Sequence, residues 1–421
     1  MNTVRGLASH WLGSSFAKDS TVLGVGMAGA QVLTMAAVPA LSRLYTPADF
    51  GLLALFTAVS SIVATAITLR YETAILLPKE DAEARAVGLL AVGLAVAIGV
   101  LLCVIAGLLP KRAIAAFGAS SLGGWLPISV AAGVAGALLA TCSAWLSRQR
   151  AYGRIARLRV GQSAVIVAVS LALGIGGHPT GLLTAQAAGA VLVALACAWL
   201  VRPMLSELRW RTVGDMAHAH RAAPVFLLPT ALLDSVTLQL PVLLITAWFG
   251  SHAAGQFSMA WRVLALPMAL IGGAIAQVFF QRFSQAWPDA RQARVLLFRT
   301  WKALALMGLG PTLIVTLWGE SIFAWVLGDA WREAGVIASI IAPMLWAMLI
   351  SSPTSTTFLV LGLQKYMPWF GLAVLVYRPA CLAVGLALSN LHLGLALLMI
   401  LEIGQLLVYQ SLALRRMRIS N

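Results

Sequence analysis

Ionisable side chains are rare inside the apolar stretches of this sequence, and each one is a candidate for chemistry. They are Asp234, Arg262, Arg378 and Glu402. A charge inside a membrane is costly, so such residues usually mark an ion or substrate pathway, or pair with one another. Arginine stays charged, and its planar guanidinium can donate two parallel hydrogen bonds to a phosphate. The two arginines could therefore hold an anionic ligand. Burial would raise the pKa of either carboxyl and a nearby arginine would lower it, so Asp234 or Glu402 could exchange a proton.

Further charges stand near the ends of apolar stretches. Arg43 follows the first stretch, and Arg70 and Glu72 interrupt the run "ITLRYETAILLP". On a continuous helix, residues two apart point in different directions, so this spacing predicts that Arg70 and Glu72 do not form an intrahelical ion pair. Arg70 could face a chamber, or it could fasten a helix end to a neighbouring loop. Arg43 is expected to be an interfacial side chain that extends toward water.

The composition places these residues in a membrane protein. Of the 421 residues, 60% are hydrophobic and only 10% are charged, and the mean hydropathy is +0.90. These values cannot be reconciled with the polar surface of a soluble domain. A spanning helix needs about 20 mostly apolar residues. Twelve segments meet that requirement: 19–41, 50–69, 85–109, 122–146, 160–177, 180–201, 222–248, 256–280, 300–318, 334–361, 367–388 and 391–413.

The distribution of lysine and arginine predicts the orientation. With twelve spans, 23 of the 29 Lys and Arg residues fall on one side, and only Arg43, Lys111, Arg112 and Arg332 fall on the other. Because cytoplasmic loops are enriched in these residues, both termini are predicted to be cytoplasmic. The net charge of +15 then reflects topology and attraction to anionic phospholipid. The short basic loops give no indication of nucleic-acid binding.

Several local patterns limit the function further. The five arginines between 148 and 159 predict an amphipathic helix lying on anionic lipid. All four cysteines fall inside apolar stretches without ligand-like spacing, so neither a metal site nor a disulfide framework is expected. The sequence has no G-x-x-x-x-G-K-[ST] motif, and no cofactor is expected. The first 20 residues lack the pattern of a removable signal peptide.

The chain also shows a weak internal repeat. "LYTPADFGLLALFTAVSSI" leads into the second span and "WFGSHAAGQFSMAWRVLALP" into the eighth, and Gly51 aligns with Gly255. The predicted fold is therefore an all-α membrane protein with about twelve transmembrane helices in two six-helix lobes. The lobes are 1–201 and 222–421, joined by a cytoplasmic linker over 202–221. Two parallel lobes related by an axis along the membrane normal are a known transporter plan.

Two motifs in the first lobe add a family resemblance. "SRLYTPADFGLLALF", Ser42 to Phe56, and "LRYETAILLP", Leu69 to Pro78, resemble the N-terminal signature of the bacterial polysaccharide transporters. These are Wzx-type oligosaccharide (O-antigen) flippases of the multidrug/oligosaccharidyl-lipid/polysaccharide (MOP) superfamily. The resemblance implies a V-shaped, MATE-like architecture and no enzymatic activity. It further implies that undecaprenyl-diphosphate-linked oligosaccharide crosses the bacterial inner membrane by alternating access, for O-antigen, capsule or exopolysaccharide synthesis.

A charged diphosphate and a polar glycan would need a cationic, hydrated chamber, which assigns roles to the candidate residues. The predicted substrate-binding residues are Arg262, Arg378, Arg70 and Arg43, and the predicted coupling or gating residues are Glu72, Asp234 and Glu402. Arg43 could then line the outer mouth. Structural pairing is the alternative, with Arg378 bound to Glu402 and Asp234 bound to Arg262.

Two other functions stay open at this point. A drug or cation antiporter of the same superfamily would share the architecture and differ in its cavity. A membrane-embedded glycan polymerase or ligase is a weaker alternative, because the longest outer loop, "WGESIFAWVLGDAWREAG", is short. The expected partners are the undecaprenyl-diphosphate-linked glycan, anionic phospholipid and the glycan polymerase of the same pathway.

Overall fold

The structure, a computed structural model, describes residues 15–110, 120–205, 210–287 and 289–419. Within these ranges the chain is helical and contains no strand. The start of the chain, Lys111 and Arg112 lie outside the described residues, so their predicted roles are not tested by the structure.

The first half of the chain forms six long helices. They are α1 (Ser15–Leu44), α2 (Pro47–Ala66), α3 (Asp81–Leu108), α4 (Leu126–Arg148), α5 (Tyr152–Ile175) and α6 (Gly181–Leu205). Two 3₁₀ segments, Tyr71–Leu76 and Ser120–Trp125, precede α3 and α4, and a short helix α7 (Trp210–Ala219) follows α6.

The second half begins with a π-helical turn, Ala223–Leu227, that leads into the long helix α8 (Leu228–Ala286). Next come α9 (Ala290–Leu327), α10 (Arg332–Ser351), α11 (Met367–Ala387) and α12 (Leu391–Ile419). Short helical turns connect them, at Asp329–Trp331, Ser352–Thr354, Thr357–Val360 and Gln364–Tyr366.

The long helices confirm the predicted fold class. In the described ranges, eleven helical segments are long and apolar enough to cross a membrane. One of them, Ala223–Ala286, has 64 residues, about three times the length that one crossing needs. Gly250 interrupts this segment with φ of 87° and ψ of 171°, a backbone conformation outside the helical region. The kink leaves a first half (228–249) and a second half (251–286) of α8, each long enough for one crossing.

The chain folds into two compact units. The first unit holds the described residues up to Tyr45 together with Leu52–Gln239, and the second holds Thr46–Gly51 together with the chain from Leu240. In the first unit α1 packs on α5, α5 on α6, and α4 on both α3 and α6. In the second unit α9 packs on α10, and α12 packs on both α10 and α11. The first turn of α2 therefore belongs to the second unit, while the rest of α2 belongs to the first.

The amphipathic interfacial helix predicted between 148 and 159 is wrong. Helix α4 ends at Arg148, and Arg150 has a left-handed φ of 56°. Ala151 donates its N–H to the carbonyl of Leu146, and Arg150 donates to that of Ser147, the hydrogen bonds of a Schellman helix end. The arginines therefore surround a tight turn between two spans. Their spacing resembles a helical period, but it carries no sign of the chain reversal.

Candidate functional site

The segment around Arg70 and Glu72 is not a continuation of α2. That helix ends at Ala66, Leu69 and Arg70 have φ of 49° and 64°, and the 3₁₀ segment Tyr71–Leu76 follows. In this conformation Nη1 of Arg70 lies 3.0 Å from Oε1 of Glu72. The prediction excluded an ion pair along a continuous helix. The assumption of a continuous helix is wrong, because two left-handed residues turn the chain here and bring the two side chains together.

This ion pair is unevenly exposed and only partly satisfied. The Glu72 side chain is 8% exposed, and the Arg70 side chain is 31% exposed. Three buried polar atoms in this segment have no hydrogen-bond partner within the described part of the chain: Oγ1 of Thr68, Nε of Arg70 and Oε2 of Glu72. Buried polar atoms without partners are costly and unusual. The segment therefore holds polar atoms whose hydrogen-bonding capacity is not used by the described residues.

Arg148 holds the same segment in place from α4. Its Nη1 donates to the Pro78 carbonyl at 2.7 Å, its Nη2 donates to the Lys79 carbonyl at 3.1 Å, and its Nε pairs with Oδ1 of Asp81 at 2.9 Å. On the other side, the Tyr71 hydroxyl donates to the Ala217 carbonyl at 3.0 Å. Burial raises the pKa of Tyr71, so its hydroxyl stays neutral at physiological pH. The sequence reasoning did not assign this clamping role to Arg148.

Arg378 and Glu402 form a buried ion pair between α11 and α12. Nη2 of Arg378 lies 2.6 Å from Oε1 of Glu402, and the side chains are 13% and 8% exposed. The pairing proposed from the sequence as the structural alternative is confirmed. Because the two charges neutralise each other, removing one partner would leave an uncompensated charge in the protein.

Arg262 differs from the other intramembrane arginine because it has no anionic partner among the described residues. Its Cζ lies 6.0 Å from the centroid of the Phe50 ring. Phe50 is buried and meets Trp331 edge-on, with ring centroids 5.1 Å apart. Within the described ranges, no ion pair or hydrogen bond of the Arg262 guanidinium is found. A cation–π contact of this kind contributes about 0.5–2 kcal/mol, so Arg262 keeps most of its capacity to bind an anion.

Phe50 reaches Arg262 because the first turn of α2 and the second half of α8, which both belong to the second unit, cross at glycines. A Cβ on Gly51 would lie 1.8 Å from the carbonyl oxygen of Ser251, and a Cβ on Gly255 would lie 1.7 Å from that of Pro47. The contact is reciprocal. Gly51 faces the carbonyl of Ser251, four residues before Gly255, and Gly255 faces the carbonyl of Pro47, four residues before Gly51. These are the two residues that the sequence repeat aligned, and only glycine permits backbones to approach this closely.

A buried glutamine next to this crossing was also missed by the sequence reasoning. Gln256 donates from Nε2 to the Ala330 carbonyl at 2.7 Å and accepts at Oε1 from the Ala334 N–H at 2.9 Å. It therefore links the buried start of the second half of α8 to the chain around Trp331. A single amide directly after Gly255 in an apolar stretch was the available signal.

The two remaining candidates are less enclosed. Asp234 is exposed on the first half of α8, and Arg43 is exposed in the last turn of α1. Neither makes an ion pair with another described residue, and the ion pair considered for Asp234 and Arg262 is not observed among these residues. The structure thus brings Arg70 together with Glu72 and Arg378 together with Glu402, and it leaves the other three candidates without an ionic partner in the described ranges.

Comparison with solved structures shows what fold these residues occupy. An inward-facing multidrug resistance MATE family transporter of the MOP superfamily aligns with a TM-score of 0.64 at 14% identity, over 94% of each chain. The lipid II flippase MurJ, in an inward closed conformation, aligns with a TM-score of 0.67 at 12% identity, over 94% of this chain and 87% of MurJ. A MOP superfamily transporter from Pyrococcus furiosus, described as having a binding pocket of reversed polarity, gives 0.56 at 15% identity over 97% of both chains.

Comparison at the level of sequence identifies the family. No curated protein is similar enough to count as a match. The family model described as "Polysaccharide biosynthesis protein" matches residues 40–336, which include both motifs that carry the resemblance noted from the sequence, and this confirms that resemblance. The chain therefore belongs to the polysaccharide biosynthesis protein family, and it is a multi-pass membrane protein with the fold seen in transporters of the MOP superfamily.

Proposed function

We propose that this protein is a transporter, and that it acts as a flippase for undecaprenyl-diphosphate-linked oligosaccharide. It would move this lipid from the cytoplasmic to the periplasmic leaflet of the bacterial inner membrane, for synthesis of a cell-surface polysaccharide. Two findings support this substrate class. The family description refers to polysaccharide biosynthesis, and the fold is shared with a flippase for lipid II, which like the proposed substrate combines a polar head with a hydrocarbon tail. Like its family and structural neighbours, the protein would act as a transporter rather than an enzyme.

The observation that carries this proposal is the unpaired state of Arg262 among the described residues. A charge at the centre of a spanning helix costs about 2.5–3.5 kcal/mol on insertion scales, and the Phe50 ring offsets only part of that cost. A diphosphate would supply the missing negative charge and accept two parallel hydrogen bonds from the guanidinium. We therefore assign the diphosphate to Arg262, and treat Arg378 as a mainly structural residue because Glu402 already neutralises it.

The other parts of the proposal follow the predicted topology. Residues 1–201 and 222–421 would form two lobes joined by the linker 202–221, with both termini in the cytoplasm. Arg43 and Arg70 would contact substrate at the ends of its path, and Glu72, Asp234 and Glu402 would couple transport to an ion gradient or gate it. Anionic phospholipid would surround the basic loops, and the glycan polymerase of the pathway would receive the product.

One observation favours a drug or cation antiporter as a second candidate. Asp234 is an exposed carboxylate within an apolar helix and has no ionic partner among the described residues. A cationic drug would need such a carboxylate, while a diphosphate would be repelled by it. The two candidate functions therefore make opposite predictions. A flippase should depend on Arg262 for substrate binding, and an antiporter should depend on Asp234, which lies in the other unit.

The experiment compares variants in a strain that lacks its own copy of this transporter. Arg262→Gln should lower surface glycan at least tenfold at normal membrane abundance, and Arg262→Lys should retain partial export because it keeps the charge but loses the bidentate geometry. The matched control is Arg294→Gln, because Arg294 makes a similar contact, 5.6 Å from the Phe298 ring centroid. That control should export normally.

Wild-type glycan levels in Arg262→Gln would refute the assignment of the diphosphate. Asp234→Asn distinguishes the second candidate. A flippase should still bind its lipid-linked substrate in this variant, even where the loss of coupling lowers export, whereas an antiporter should lose resistance to cationic drugs. Drug resistance that depends on Asp234, together with glycan export that does not depend on Arg262, would favour the antiporter.

A further inference from the structure

The second half of α8 changes character directly before Arg262. Between Ala254 and Ala260 almost every residue is buried, but from Trp261 to Val278 none is. Two apolar cavities border this stretch, with volumes of about 230 Å³ and about 380 Å³. They share Met268, Leu345 and Leu349 as walls. The helix is therefore enclosed by protein up to Ala260, and Arg262 lies at the start of its less enclosed part.

The smaller cavity lies between α8, α9 and α10, and prolines help to keep it open. Pro267 on α8 and Pro311 on α9 both line it. A proline ring removes a backbone hydrogen bond and crowds the preceding turn, which bends a helix. With a proline at the cavity in each of two helices, close side-by-side packing of these helices is disfavoured there. The remaining space is consequently a property of the backbone rather than of one flexible side chain.

The chemistry of the walls selects a hydrocarbon occupant. They consist of aliphatic, methionine, glycine and proline residues, and Thr312 is the one residue with a side-chain hydroxyl. Such a site offers too few polar partners for water, and dry cavities of about 150 Å³ take up apolar molecules as large as benzene. A cavity of about 230 Å³ has room for a short stretch of hydrocarbon chain.

The position of the cavity relative to Arg262 indicates which hydrocarbon it holds. Val263, the next residue, lines the cavity, and so does Ile271, about two turns further along the helix. At about 1.5 Å per residue these two are roughly 12 Å apart along the helix. A cation and an elongated apolar cavity thus adjoin on one helix, which matches an anionic head joined directly to a single chain. A diacyl lipid would place two chains and a glycerol at the same point.

We propose that the cavity between α8, α9 and α10 binds the head-proximal part of the isoprenoid chain of the lipid-linked substrate, while its diphosphate contacts Arg262. This inference rests on the proposed function. The protein then holds substrate by both parts, so the isoprenoid chain contributes to recognition. The apolar contacts also fix the distance between the bilayer core and the diphosphate during transport.

The test measures binding to the purified full-length protein by native mass spectrometry, with three probes. Undecaprenyl diphosphate carries head and chain, inorganic pyrophosphate carries the head alone, and phosphatidylglycerol is the diacyl control. Thr312→Phe fills the cavity from α9, and Ala342→Leu, whose side chain also lines it, fills it from α10. The matched control is Leu313→Phe, because Leu313 is 49% exposed on the outer side of α9.

We expect both cavity-filling variants to weaken undecaprenyl diphosphate binding at least tenfold, while pyrophosphate and phosphatidylglycerol binding stay unchanged. Leu313→Phe should change none of the three affinities. If Thr312→Phe does not fold, Ala342→Leu alone gives the same comparison. Wild-type affinity for undecaprenyl diphosphate in the folded variants would overturn the proposal, and an equal loss of phosphatidylglycerol binding would show a general lipid cavity instead.

Arg262→Gln separates this inference from the proposed function. It should weaken binding of undecaprenyl diphosphate and of pyrophosphate alike. If it weakens neither, while Thr312→Phe still weakens undecaprenyl diphosphate, the diphosphate assignment fails and the chain-binding cavity stands. If Arg262→Gln weakens both and the cavity variants have no effect, the diphosphate assignment stands and the cavity proposal fails.

Discussion

The glycine crossing of the second unit allows a quantitative prediction about stability. Gly51→Ala would put a Cβ 1.8 Å from the Ser251 carbonyl oxygen, and Gly255→Ala would put one 1.7 Å from the Pro47 carbonyl oxygen. Real Cβ atoms essentially never come within 3.0 Å of another heavy atom of this kind, so either methyl group forces the helices apart. Both obstacles are backbone atoms, which cannot move aside by changing rotamer.

The expected cost follows from two opposing contributions. Overpacking of this kind costs about 1–3 kcal/mol or more, whereas alanine gains up to about 1 kcal/mol over glycine in a helix. Gly310→Ala on α9 is the matched control, because a Cβ there meets nothing within 4 Å, and it should be neutral or stabilising. The gain from alanine is common to variant and control, so the difference between them is the overpacking cost. Since 1 kcal/mol shifts Tm by roughly 2–4 °C for a unit of about 150–250 residues, each crossing variant should melt about 2–12 °C below the control.

A thiol-reactive fluorophore can measure this melting, because Cys142, Cys197 and Cys381 are buried and become accessible on unfolding. The double variant supplies a second readout. Once one methyl group has separated the helices, the second costs less, so the two losses in Tm should not add. Melting of Gly51→Ala at the temperature of the Gly310→Ala control would refute the close crossing, and full additivity would refute its reciprocal character.

Three further predictions concern the ion pairs and the clamped segment. Arg378→Ala should lower membrane abundance and Arg378→Ala with Glu402→Ala should largely restore it; equal abundance of both would exclude the pair as a stabilising contact. Arg148→Lys should raise hydrogen exchange in residues 71–79, because one ammonium cannot replace three diverging donors, and unchanged exchange would contradict the clamp. Tyr71→Phe should cost about 1 kcal/mol. Because burial raises the Tyr71 pKa above its ordinary value of 10.0, that difference from wild type should be full below pH 10 and shrink above it.

The fold could be predicted from the sequence because each spanning helix is a long apolar run. Hydrophobic length alone located the spans. The ends were less accurate: α9 was predicted over 300–318 and extends over Ala290–Leu327. Its first turns alternate charged and apolar residues, which suits a helix but not a hydropathy criterion. Asp289 caps that helix by accepting from the N–H groups of Arg291 and Gln292, a short signal that hydropathy does not register.

Only one ion pair of the candidate site could be predicted from the sequence, and it joins two helices that follow each other in the chain. Arg378 and Glu402 were the only intramembrane charges of α11 and α12, so their pairing could be anticipated. The Arg70–Glu72 pair could not, because two successive left-handed residues without glycine have no sequence signature. The apolar cavity beside Arg262 was also beyond reach, since prolines indicate bends but not which helices the bends bring together.

Three of the candidate arginines, Arg262, Arg378 and Arg70, differ in what a diphosphate must displace in order to bind. At Arg378 it must break a pair with oxygen and nitrogen 2.6 Å apart and leave Glu402 charged and buried, which costs about 3–5 kcal/mol. At Arg262 it displaces no anion within the described ranges and need not disturb the aromatic contact at 6.0 Å. Each 1.4 kcal/mol corresponds to tenfold in affinity, so the difference favours Arg262 by roughly two or three orders of magnitude. Arg70 lies between these cases, because its partner Glu72 is buried but its own side chain is 31% exposed. The loss of pyrophosphate affinity should therefore be largest for Arg262→Gln, smaller for Arg70→Gln, and smallest for Arg378→Gln combined with Glu402→Gln.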